Sequence, residues 1–210
     1  MSLRTRIGVR TSSIGGFKFL AEGEHMWVLS DSGNYRAFPG FAPSNRTVIA
    51  DPDNIQLNRL QLSYDLSPLQ SVITAGRQSI LRGDQRFIGA VGWRQNDQTF
   101  DAISLENKSF ENLSFSYAYL DQVNRIFGTN APTSSLEAWE SDSHLVDLSY
   151  SGFENHTVRA FAYFLDFKNA PANSGNTFGL EVEGKSHPGN SNQLRYLLTG
   201  ALQEDAGSHS

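Results

Sequence analysis

The 210-residue chain contains no cysteine. That absence excludes a disulfide framework, a thiolate zinc site and a cysteine nucleophile together. A basic excess is missing as well: 17 Lys+Arg against 22 Asp+Glu leave a formal charge of −5, the reverse of the footprint of a nucleic-acid binder. No apolar run approaches the ~18 residues of a membrane-spanning helix, and residues 1–6 offer no apolar signal-peptide core. Catalytic signatures are equally scarce. There is no G-x-S-x-G, Walker A or G-x-G-x-x-G pattern. The five histidines (His25, His144, His156, His187, His209) lie scattered without metal-ligand spacing. No catalytic residue, metal site or cofactor is therefore assigned. Asp51-Pro52-Asp53-Asn54 carries oxygens that Ca²⁺ could take, but without EF-hand spacing it reads as a plain turn.

Alternation of period two is abundant, and helical periodicity is confined to short pieces around 120–127 and 134–140. From Phe17 onward the odd positions read Phe17, Phe19, Ala21, Gly23, His25, Trp27 and Leu29, while Lys18, Glu22 and Glu24 all fall on the even ones. Ile7 and Val9 alternate with Arg6 and Arg10; Leu60, Leu62 and Tyr64 with Arg59, Gln61 and Ser63; Phe178, Leu180 and Val182 with Glu181, Glu183 and Lys185. One wet and one apolar face per segment is the signature of a strand. Ten strands are expected, at about 3–13, 17–29, 56–66, 70–79, 98–107, 112–123, 144–151, 156–167, 176–186 and 193–203. The eighth is ambiguous, since Val158, Ala160, Ala162 and Phe164 oppose Phe161, Tyr163 and Leu165, and only Arg159 marks a wet side.

Most of these strands reach the ~9–11 residues of a tilted transmembrane strand. Their connections alternate between short turns, such as Ser13-Ile14-Gly15-Gly16, Ser67-Pro68-Leu69 and Ser151-Gly152-Phe153, and longer loops. This is the pattern of an all-β, antiparallel, up-and-down transmembrane barrel with tight periplasmic turns and large external loops. Residues 1–210 then form a single outer-membrane barrel domain. With short turns on the periplasmic side, the first strand descends and the tenth climbs. The tail from Glu204 also lacks a terminal aromatic strand, so the expectation is an interior piece, incomplete at both ends. A ten-stranded barrel closed on itself is the other possibility. Phe17, Trp27, Tyr64, Tyr119, Tyr150 and Phe178 lie on the apolar parity, where interfacial girdles or a soluble core would place them.

The loop between the fourth and fifth strands carries the densest signal: Arg82-Gly83-Asp84-Gln85-Arg86-Phe87-Ile88-Gly89-Ala90-Val91-Gly92-Trp93-Arg94-Gln95-Asn96. Its arginines suit either a pore constriction that grips carboxylates bidentately or an external loop paired with its own aspartates. Here the sequence resembles the alginate-export family of outer-membrane porins, through Gly76-Arg77-Gln78, the stretch 89–96, Asn124-Arg125-Ile126-Phe127-Gly128 and Ala50-Asp51-Pro52-Asp53 followed by Leu57-Asn58. The resemblance implies an eighteen-stranded barrel, of which this chain is little more than half, with an arginine-rich lumen passing anionic uronate chains. Carried over by position, Arg77 and Arg94 line that lumen. Arg6, Arg10, Arg59 and Lys18 join them on parity alone. Glu22, Glu24, Glu106, Glu181 and Glu183 share the wet face, which suits polar or anionic solutes in a mixed-charge pore. The expected function is passive diffusion of such solutes, including uronate-type oligo- or polysaccharide, across the bacterial outer membrane. Lipid is the other partner, and no nucleic acid is involved. Two rivals stand beside it: a soluble or periplasmic carbohydrate-binding β-protein, and an outer-membrane enzyme using Glu22 or Glu24 as paired carboxylates.

Overall fold

A computed structural model describes residues 1–29, 35–41, 45–186 and 192–205. Histidines 187 and 209, and the tail beyond 205, lie outside these residues. The described chain forms one antiparallel sheet in strictly sequential order. Its strands are β1 (Ser2–Arg10), β2 (Phe17–Val28), β3 (Asn54–Leu66), β4 (Ser71–Gln78), β5 (Thr99–Phe110), β6 (Leu113–Asn124), β7 (Ala138–Phe153), β8 (His156–Leu165), β9 (Gly175–Ser186) and β10 (Leu194–Asp205). Among the described residues β1 pairs only with β2, and β10 only with β9.

Short turns and long loops alternate as the sequence suggests. Four of the short turns rest on left-handed residues. Gly15 and Gly16 (φ 58° and 87°) close β1–β2, Gln70 (φ 43°) closes β3–β4, Asn112 (φ 56°) closes β5–β6, and Asn155 (φ 60°) closes β7–β8. Asn is the side-chain-bearing residue that tolerates this region best. The helical periodicity around 120–127 has a local cause: Asp121 is an extra residue in β6, bulged between pairs Asp101↔Gln122 and Ala102↔Leu120. A bulge inserts one residue and breaks strict alternation, which imitates a helical spacing. The seventh strand also starts earlier than expected, at Ala138 rather than near 144, and the only α-helical turn among the described residues is α1, Ser134–Glu137.

The two faces of the sheet differ sharply. Ile7, Phe17, Leu60, Leu62, Ile103, Leu180 and Leu198 point outward and stay exposed, with Leu180 at 60% and Leu198 at 66%. A continuous exposed band of large apolar side chains has no place in water and is what a lipid-facing barrel wall requires. It removes the soluble rival. The six girdle aromatics lie on this outward face, and Phe17 and Tyr64 meet across strands with ring centroids 4.5 Å apart.

The buried core sits on the inward, concave face: Phe100, Ala102, Ala118, Leu120, Val123, Leu145, Phe161, Tyr163 and Phe167, together with Ile80 and Ile88 from the β4–β5 loop. This resolves the ambiguous eighth strand. Val158, Ala160, Ala162 and Phe164 face lipid, while Arg159, Phe161 and Tyr163 face inward and are buried. Both faces of β8 are apolar because a loop, not water, covers the inner one.

Candidate functional site

The β4–β5 loop, residues 79–98, leaves the rim and folds across the concave face instead of projecting outward. Ile80 and Ile88 pack into the inner core, and the Phe87 ring lies 5.5 Å from Phe161 and 6.5 Å from Tyr163. Hydrogen bonds from Arg82 N to Ile88 O and from Gln98 N to Ala90 O close the loop on itself. Gln98 Nε2 adds a bond to Gly89 O at 3.0 Å. Charged contacts then fasten it to both sides of the sheet.

On the far wall the hub is Arg159 of β8. Its guanidinium donates to Glu181 of β9 (Nε 3.0 Å, Nη2 3.1 Å), to Asp147 of β7 (Nη1, 2.5 Å) and to the Tyr163 hydroxyl (2.9 Å). Tyr163 in turn donates to Asp147 at 2.9 Å, and Arg82 from the loop lies 3.2 Å from the other Asp147 oxygen. Two cations and two carboxylates thus cancel in a buried place. A charge there is tolerable only when paired and hydrogen-bonded. Gly83 (φ 52°) rides directly over this hub, where a Cβ would collide with the Arg159 guanidinium.

On the near wall, Arg4 and Arg6 of β1 reach Glu24 of β2 and Asp97 of the loop. Arg4 donates to Asp97 (3.1 Å) and to the Gln95 carbonyl (2.7 Å); Arg6 donates to Asp97 (2.5 Å) and to Glu24. A bulge at Asn58 turns both Asn58 and Arg59 inward, and both donate to Glu22, at 2.7 Å and 2.8 Å. The two carboxylates of the enzyme rival are therefore held by arginine and asparagine side chains.

The predicted lumen residues separate into four kinds. Arg6 and Arg59 face inward but are consumed in these pairs. Lys18 faces inward, exposed, 3.9 Å from Asp65. Arg10 shares the inward parity of Arg4 and Arg6 at the opposite end of β1 and is exposed. Arg94 is on the loop, its carbonyl oriented toward Arg4, and among the described residues no carboxylate pairs with its guanidinium. Arg77 departs from expectation. It pairs with Leu60 on β3 and Asp101 on β5, both of the outward parity, and its guanidinium bonds Asp101 (2.7 and 2.8 Å) and Leu57 O (3.2 Å). Thr74 and Gln78, on the alternate parity of β4, face inward. Position in a motif carried no information about which face a strand residue takes.

The motif segments nonetheless meet in space. Gln95 N donates to Asp51 Oδ1 (3.2 Å). Asn96 Nδ2 donates to Ile126 O (3.0 Å), and Asn96 Oδ1 accepts from Gln56 (2.5 Å). Asn54 bonds Gln56 and Thr129, and a Cβ on Gly128 (φ 71°) would strike Asn54. These residues brace the root of the inward loop, and Asp51 and Asp53 serve as hydrogen-bond acceptors (the latter for Val28 N, 3.3 Å) within that brace. Arg125 stacks over Trp139 at 4.3 Å and Phe127 at 5.1 Å and donates to Ser135 O at 2.8 Å. Burial among these rings pushes its pKa below the ordinary arginine value.

Sequence reading missed Arg4, Asp97, Asp147, Arg159 and Tyr163 as a set. A signal existed: Asp147, Arg159 and Glu181 are opposite charges on the wet parity of three successive strands. Only register shows that they are neighbours.

No protein-family model matches the chain, and a search of curated proteins finds no relative. Solved structures do match. OpdK of Pseudomonas aeruginosa, crystallised with vanillate, superposes with a TM-score of 0.70 at 15% identity, over 98% of this chain and 52% of that one. OccAB4 of Acinetobacter baumannii gives 0.69 at 13%, over 100% and 54%, and OccAB2 of the same organism 0.67 at 18%, over 98% and 52%. This chain spans about half the length of each. The structures it resembles are outer-membrane porins, and the likeness shows that the fold is that of an outer-membrane β-barrel wall.

Proposed function

We propose that the chain forms part of an outer-membrane channel for passive diffusion of small polar or anionic solutes, with residues 79–98 as its constriction. The observation that carries this reading is the inward loop pinned by ion pairs to both walls of a sheet whose outer face is apolar. An external loop would have no reason to bury Ile80 and Ile88 against inward strand residues.

Most inward arginines are already matched by carboxylates, so the lumen is polar without being a deep anion trap. A solute that binds weakly at several places can also leave. Arg94 and Arg10, unmatched among the described residues, bias the path toward anions, and Lys18 contributes with a loosely held ammonium. Carboxylated small molecules, uronate-type sugars included, fit this balance better than long, densely charged polymers. The alginate-export resemblance and the vanillate held by OpdK both agree with a carboxylate class.

The test is conductance of the full-length protein in planar bilayers. Replacing 82–96 by a short Gly-Ser linker should raise single-channel conductance severalfold, and unchanged conductance would remove the loop from the constriction. Arg94→Ala should lower the anion-to-cation permeability ratio. A ratio that stays put would sink the role given to Arg94.

A further inference from the structure

Each of the four short turns within the described residues exposes one large apolar side chain: Ile14 at 71%, Leu69 at 59%, Phe110 at 68% and Phe153 at 57%. All four stand immediately before the residues that reverse the chain. Gly15 and Gly16 follow Ile14, Gln70 follows Leu69, Glu111 and Asn112 follow Phe110, and Glu154 and Asn155 follow Phe153. A single exposed apolar residue is ordinary on any protein surface. The same placement in every turn is a pattern, and register shows where it points. Ile14 and Phe17 form an antiparallel bridge closed by two hydrogen bonds, of 2.9 and 3.0 Å. Phe110 pairs with Leu113, which in turn pairs with Tyr150. Phe153 pairs with His156, and its ring meets Tyr150 edge-on at 5.1 Å. Directly opposed residues of an antiparallel pair share a face. Ile14, Phe110 and Phe153 therefore extend the outward face that carries Phe17 and Tyr150. The tips themselves are polar or glycine, and exposed Lys108 stands beside the β3–β4 turn, its backbone N–H bonded to Gln70 O at 2.9 Å.

We propose that Ile14, Leu69, Phe110 and Phe153 are seated in the periplasmic phospholipid leaflet and anchor the short-turn rim at the boundary between acyl chains and headgroups. The occupant follows from continuity. This face is the lipid-facing wall, and its apolar surface runs through Phe17 and Tyr150 into the turns. Water opposes four such side chains along one rim. The boundary region accepts an apolar body beside a polar neighbour. Lys108 fits the same level, with its stem along apolar surface and its ammonium among lipid phosphates. The turns then lie flush with the leaflet instead of standing free in the periplasm, and they fix the depth at which the wall sits. This rests on the lipid-facing wall and is independent of what the channel conducts.

The test places a nitroxide on single cysteines introduced into the full-length protein in phosphatidylethanolamine–phosphatidylglycerol vesicles. The anchor variants are Ile14→Cys, Leu69→Cys, Phe110→Cys and Phe153→Cys. Leu62→Cys on the wall, and Glu111→Cys and Glu154→Cys on the tips, serve as references. Three anchors remain in each anchor variant, so one label does not lift the rim. Collisions with dissolved oxygen, which concentrates in lipid, are measured against collisions with a water-soluble nickel chelate. The oxygen-to-nickel ratio at the four anchors should exceed that at Glu111 and Glu154 severalfold. Anchor ratios equal to those at the tips, with Leu62 still in lipid, overturn the anchoring and leave the wall intact. A rim reserved for a soluble partner would give that result. A water-like ratio at Leu62 overturns the wall, and the anchoring with it. A second measurement needs no label. Replacing all four anchors by Ser shortens the apolar height at this rim. The fall in urea midpoint should then be larger in long-chain than in short-chain phosphatidylcholine vesicles. An equal fall in both overturns the depth-setting role.

Discussion

Arg159 shows what an inward charge does here. It neutralises Asp147 and Glu181 together and fixes Tyr163, with side chains about nine-tenths buried on all three charged partners. Arg159→Ala leaves two carboxylates buried without that partner. It should destabilise the folded protein by about 3–5 kcal/mol, read as a lower urea midpoint for unfolding from lipid vesicles. Asp147→Asn should cost less, because Arg159 keeps Glu181. Gly83 is a separate test at the same place. Gly83→Val meets both the left-handed backbone (φ 52°) and the Arg159 guanidinium. Strain of this kind costs about 1–3 kcal/mol, so the loop should lift from the far wall and residues 82–90 should become susceptible to protease. A Gly83→Val protein as protease-resistant as the parent would contradict the docking described.

Strands and turns carry the next level of order. Leu62 and Gln61 are adjacent on β3 and point to opposite faces, so the same substitution separates them. Leu62→Arg should cost about 2–4 kcal/mol if it falls near the middle of the hydrocarbon band, whereas Gln61→Arg should be nearly neutral in stability. Comparable costs for the two would mean that the faces are misassigned. The bulges at Asn58 and Asp121 show how an element departs from its pattern for a reason. Asn58 and Arg59 both reach Glu22 only because one extra residue turns two neighbours to the same side. Asp121 shifts Val123 back into register with the inner core. At the opposite rim, Asn112→Gly should be tolerated and Asn112→Val should cost about 1 kcal/mol or more, since φ is 56° there.

At the scale of the whole molecule the outward apolar band decides the solvent. The protein should stay in solution in detergent and precipitate when detergent is removed, followed by light scattering. Clear, monodisperse solution in buffer alone would contradict a lipid-facing wall. The sheet also has two open edges in the described residues, on β1 and β10. Unpaired edges of this length invite pairing with another chain. The 210-residue chain refolded by itself should therefore self-associate even in detergent.

Alternation alone established the strands, their sequential antiparallel order and the two faces of the wall, because a period of two is a local property of side-chain direction. Turn chemistry at Gly15-Gly16 was equally local, and so readable. What the sequence could not decide was anything that depends on register or on a distant segment. Arg77 faces outward because β4 pairs Leu60 with it. Arg159 is a hub because Asp147 and Glu181 flank it across two ladders. Phe161 and Tyr163 are buried because a loop from 80 residues earlier lies over them, and the wall is polar at Lys18 yet apolar at Leu120 for the same reason. Long-range packing of residues 79–98 made the constriction, and no periodicity in the chain encodes where a loop will fold.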